Sequence, residues 1–193
     1  MTALTFAAVD PTIRLICIAV LALMFLGSGA GKLRNMEAFS GVVRGYALLP
    51  APLAAPAAWL VAALEMAAGL LLLTPLASLG AAIACALGLL FAGALGVNMA
   101  RGHTTLDCGC DSFAALSAGV GRSDEHARIG GWHVARALLL AALALVAMQP
   151  AGARAVTPLD IFAGVAATLA VLAVLWIWDG LLRNAPRLDS LKG

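Results

Sequence analysis

Two thiols one residue apart, Cys108 and Cys110, stand with Gly109 between them and with Asp107 and Asp111 on either side. Closing a disulfide over so short a span requires a tight turn, and glycine accepts the positive φ such a turn imposes. A strained, exposed disulfide has an oxidising potential and exchanges readily with another thiol, so this pair suits electron exchange with a partner protein better than it suits bracing a fold. Asp107 and Asp111 oppose ionisation of the thiols by like-charge repulsion, whereas His103 and Arg101 favour it. A structural disulfide, lipid acylation and a metal site recruiting His103, His126, His133, Asp107 or Asp111 are the competing readings. Metal is not expected, because the histidines are scattered and no second close-spaced ligand pair accompanies the cysteines. The other two cysteines, Cys17 and Cys85, fall inside apolar stretches, where a free thiol behaves as a small hydrophobe. A second use for them is an inner pair handing electrons across the membrane to Cys108 and Cys110.

A further chemical oddity is Glu65, alone in a long apolar run. An ionisable group in that setting is a functional or bundle-organising candidate, and its partner should be Lys32, Ser28 or Arg136. A structural pair between Glu65 and Lys32 that fastens the first two spans is the favoured reading. The alternatives are a proton or quinone role and a protonated acid bonded to backbone carbonyls.

The elements that must position these residues are membrane helices. The chain is 63% hydrophobic and 11% charged with a mean hydropathy of +0.99, far outside the range of soluble domains. Five apolar blocks, approximately residues 13–31, 56–74, 75–99, 133–148 and 157–178, have about the length needed to cross some 30 Å of hydrocarbon as helices. Leu and Ala dominate them and no strand-like alternation appears, so the expected fold is all-α: a polytopic four-helix transmembrane bundle plus a fifth span, in a single domain over 1–193. The first block imitates a signal peptide, with Arg14 ahead of it and Gly27–Gly31 behind, but Asp10-Pro11 reads as a helix start, and retention is expected. A formal net charge of +2 without a basic run excludes a nucleic-acid partner. The lipid bilayer is the partner that composition demands.

Between the first two spans, Met36, Phe39, Val43 and Tyr46 recur at helical spacing opposite Glu37, Ser40 and Arg44, which predicts an interfacial amphipathic helix over about 35–48. The only long polar stretch, 100–132, carries the Cys-Gly-Cys motif on the same side. That side also holds nine of the twelve Lys and Arg residues and all four tryptophans. By the positive-inside rule such a side faces the cytoplasm, where thiols are kept reduced.

Together, Ser28-Gly29-Ala30-Gly31-Lys32-Leu33, Glu65 with Gly69-Leu70-Leu71-Leu72, Asn98-Met99-Ala100-Arg101-Gly102 and Asp107-Cys108-Gly109-Cys110 resemble the MauE family of methylamine-utilisation membrane proteins. More distantly the chain is similar to DoxX-type proteins and to the vitamin K epoxide reductase bundle. The resemblance runs across most of the chain. It implies a membrane thiol-disulfide maturation factor for methylamine dehydrogenase, whose small subunit carries many disulfides, acting with a MauD-like, membrane-anchored thioredoxin-like partner. It also implies a bacterial inner-membrane location with the Cys-Gly-Cys loop in the periplasm, opposite to the charge bias. The reductase family uses Cys-x-x-Cys at its fourth helix plus a separate loop pair. This chain has one Cys-x-Cys, so a quinone remains a cofactor to be tested and no other cofactor is expected. A scaffold that only docks the thioredoxin-like partner is the non-redox alternative.

Overall fold

In a computed structural model the described residues are 8–102 and 130–190, without the side chains of 179–190. Among them the chain is helical throughout: α1 (Pro11–Arg34), α2 (Met36–Gly45), α3 (Ala51–Leu72), α4 (Ala77–Ala100), α5 (Gly131–Met148) and α6 (Pro158–Ser190). All but α2 contain a stretch long and apolar enough to cross a membrane.

Local sequence sets the ends of these helices. Asp10 caps α1 by accepting the Thr12 N–H at 2.8 Å, and Pro11 at the first helical position loses no bond, since that amide has no intrahelical partner anyway. In α3 the helix begins at Ala51, so Pro52 and Pro56 both lie near its start, where a missing amide costs least. Thr74, Pro75 and Leu76 form the turn into α4, with the Thr74 hydroxyl donating to the Leu71 carbonyl and accepting the Leu76 N–H. At its far end α4 stops on Gly102, whose φ of +74° turns the chain away while its N–H bonds the Met99 carbonyl.

Helices α1, α3, α4 and α5 pack as a ring, α1 on α3, α3 on α4, α4 on α5 and α5 back on α1. The interior is built from small side chains, with Ala68, Ala81, Ala84 and Ala144 fully buried around Leu21, Phe25, Leu72 and Leu87. Close approach of helices replaces large-residue burial as the source of cohesion, as expected where lipid removes the hydrophobic drive between spans. The tightest approach is at Gly80, where a Cβ would stand 2.7 Å from the Leu72 backbone nitrogen. Helix α6 packs on α1, mainly through Leu175 against Val20 and Met24, and most of its surface faces outward. Helix α2 lies across the loop-rich end, with Val42 and Tyr46 packed on Leu95, Met99 and Val134.

The opposite end is closed by a polar clasp. Arg154 bonds Asp10 at 3.1 Å and Asp160 at 2.9 Å, joining the starts of α1 and α6, while Arg14 donates to the Ala147 and Gln149 carbonyls at the end of α5. The Arg154 guanidinium, together with the Thr12 N–H, holds the Asp10 carboxyl below its ordinary range. A depressed carboxylate pKa contributes stability that is present at neutral pH and is lost as pH falls through the folded value, below the ordinary aspartate range of about 3.9. Acidification to that range should therefore increase protease cleavage of the 149–157 connection. Arg154→Gln should remove that component of the pH dependence and 1 M salt should weaken it, because the pair is exposed and screened.

Candidate functional site at the loop-rich end

Ser28 and Lys32 are one turn apart on α1 and so share a face, and that face is turned toward Glu65 of α3. Lys32 Nζ forms a salt bridge with Glu65 Oε1 and donates to Ser28 Oγ at 2.7 Å. The Ser28 hydroxyl in turn donates to the same carboxylate oxygen at 3.3 Å. Phe39 of α2 and Phe91 of α4 present ring faces to the ammonium, with centroids at 5.0 and 5.1 Å. One cation thus ties together α1, α2, α3 and α4. Lys32 is 6% exposed and Glu65 1%, so water contributes almost nothing to the charge balance. Short side chains reach across because α1 and α3 are close here: a Cβ on Gly69 would stand 2.6 Å from the Leu26 side chain.

Beside the ion pair is a cavity of about 30 Å³. Its polar lining is Ser28, Glu65, His133 and Arg136, and Phe25 and Phe91 are among its apolar walls. His133 Nδ1 accepts the Gly130 N–H at 3.2 Å, which fixes the start of α5. Arg136, one turn into α5, is 5% exposed and faces the same cavity as Glu65. Asn98 is fully buried near the end of α4 and donates to the Ala94 carbonyl at 3.0 Å.

The structure therefore brings Lys32, Ser28 and Glu65 into direct contact and sets Arg136 across the cavity from them. Arg101 is exposed at the end of α4. Cys108, Cys110, Asp107, Asp111 and His103 lie outside the described residues. The segment that carries them leaves from α4 and returns to α5 at the end crossed by α2, so both its anchors belong to this site. Cys17 and Cys85 are free thiols, Cys17 buried and Cys85 half-buried, in one apolar cluster. No group of three or more metal-ligating side chains occurs among the described residues. Sequence reasoning missed the cavity, the place of Phe39 and Phe91 around Lys32, and the Arg154 clasp. For the clasp a signal existed, since Asp10 and Arg154 are both charges next to span ends on one side.

Five apolar helices around a buried ion pair define a multi-pass membrane protein of the helical-bundle class. Residues 10–150 match the family described as "Methylamine utilisation protein MauE". The chain belongs to that family. A "Methylamine utilization protein MauE" of Methylophilus methylotrophus is 42% identical over 137 residues, 70% of this chain and 67% of the relative. One from Paracoccus versutus is 35% identical over 192 residues, 95% of this chain and 96% of its own. With the Paracoccus denitrificans protein of the same name the identity is 44% over 91 residues, about half of each chain, 47% and 49%. No solved structure matches the chain.

Proposed function

We propose that this protein is a thiol-disulfide exchange and maturation factor in methylamine metabolism, acting with a MauD-like, thioredoxin-like protein on the disulfides of the methylamine dehydrogenase small subunit. The observation that carries the reading is Cys108-Gly109-Cys110, placed in the only long polar stretch of a chain otherwise made of membrane helices. In the exchange, a thiolate of one protein attacks a disulfide sulfur of the other and releases the second sulfur as thiolate. The remaining thiol of the attacking pair, once deprotonated, then attacks the mixed disulfide, so one dithiol is oxidised as one disulfide is reduced. Asp107, Asp111, His103 and Arg101 set how readily the thiols ionise. On this reading the loop faces the periplasm from the inner membrane, since substrate disulfides form there. The clustering of cations on the loop-rich side is then a departure from the positive-inside rule.

Replacing Cys108 or Cys110 singly by serine, with the partner's resolving cysteine also removed, should trap a covalent complex in one of the two variants. No trapped complex in either variant, together with full dehydrogenase maturation in the double-serine strain, would leave only docking of the thioredoxin-like partner. Labelling of Cys108 and Cys110 by a membrane-impermeant thiol reagent, before and after reduction, reads sidedness and redox state together.

A further inference from the structure

Glu65 uses one carboxylate oxygen, Oε1, for Lys32 and Ser28. The other, Oε2, has no hydrogen-bond partner among the described residues, although Glu65 is 1% exposed and lines the cavity. Such an atom is desolvated without compensation unless something in the cavity donates to it.

Charge selects the occupant. Lys32 already neutralises Glu65, and Arg136 brings a second cation to the cavity wall. A small ammonium would meet two fixed cations against one carboxylate, so the site rejects it despite Phe25 and Phe91. An anion would face the bare Oε2. A neutral hydrogen-bond donor fits both walls. Volume then decides between donors: one water needs about 10–15 Å³ on this measure, and it needs two to four polar partners. A cavity of about 30 Å³ takes two waters at most and excludes a ring-bearing hydroxyl compound. Partners are at hand, because Ser28 and His133 line the same space. His133 Nδ1 accepts the Gly130 N–H, so the neutral ring carries its proton on Nε2 and can donate there.

We propose that the cavity between α1, α3, α4 and α5 is a buried water site, in which water donates to Glu65 Oε2 and links it to His133 in the first turn of α5. The water gives the Glu65 carboxyl, enclosed by apolar helices, a proton route to the end of the bundle from which residues 103–129 depart. The inference does not depend on the thiol-exchange reading.

Hydroxyl-radical footprinting by X-ray radiolysis of the full chain in lipid nanodiscs tests it, because radicals form from the water already present and modify adjacent side chains. Met24 is 2% exposed and lines the cavity. It should be oxidised at a rate comparable with Met148, which is 38% exposed at the end of α5. Leu140→Phe, which fills the cavity, should lower the Met24 rate several-fold and leave Met148 unchanged. Ala137→Val serves the same purpose if the first variant yields no folded protein. A Met24 that is protected in the unaltered protein overturns the proposal. So does oxidation of Met24 that is unaffected by filling the cavity, or a co-purifying ring compound whose removal alone exposes Met24.

Discussion

Glu65→Ala should remove most of the folded protein from the membrane fraction, with little change in the chemistry of the molecules that remain. Its loss leaves the Lys32 ammonium buried with only a hydroxyl and two ring faces around it. Breaking a buried pair by deleting one partner costs about 3–5 kcal/mol, a large part of the total stability of an ordinary domain. Glu65→Gln keeps the shape but not the charge and should be nearly as damaging. Replacing both partners, as in Lys32→Met with Glu65→Leu, removes the uncompensated charge and should recover much of the folded yield. Monodisperse protein after detergent extraction, measured for the three variants side by side, is the readout. Normal levels of Glu65→Ala protein with lost maturation would instead move Glu65 from fastening the helices to handling a proton.

Gly80→Ala should be the next most disruptive single change, against the usual preference of helices for alanine. Propensity alone favours alanine by about 1 kcal/mol. Here the added methyl would sit 2.7 Å from the Leu72 backbone nitrogen and 2.9 Å from the Ala68 carbonyl oxygen, and neither atom can swing aside. Forcing α3 and α4 apart costs about 1–3 kcal/mol or more, because the alanine-lined interior has no flexible side chains to refill the gap. The steric term wins. Gly93→Ala on the same helix meets nothing within 4 Å and should raise the melting temperature slightly. Thermal melts of the pair distinguish crowding from propensity in one experiment.

Apolar length and composition carried the five membrane helices, because a segment that crosses hydrocarbon must satisfy its backbone internally and be apolar over its whole length. Helix starts were harder to read. Pro56 resembles a boundary, yet α3 begins at Ala51, since a proline near the start of a helix costs little. For Glu65 the sequence offered Lys32, Ser28 and Arg136 as partners. Only packing could assign Lys32 and Ser28 to Oε1 and place Arg136 across a cavity. The cavity itself was invisible, because it is the space four helices leave between them and no one of them encodes it. Phe39 was legible as part of an apolar stripe, but its second use against the Lys32 ammonium depends on where α2 comes to rest.

The last helix has a length that its apolar content does not require. It runs unbroken for 33 residues, but only Pro158–Trp178 has membrane character. At about 1.5 Å per residue, the twelve residues after Trp178 extend the helix by about 18 Å at the end from which the Cys-Gly-Cys segment departs. That extension is a post standing beside the entrance. It fixes a clearance: a membrane-tethered protein reaching for residues 103–129 must carry its reactive groups on a stalk tall enough to pass it, or approach from the side away from α6.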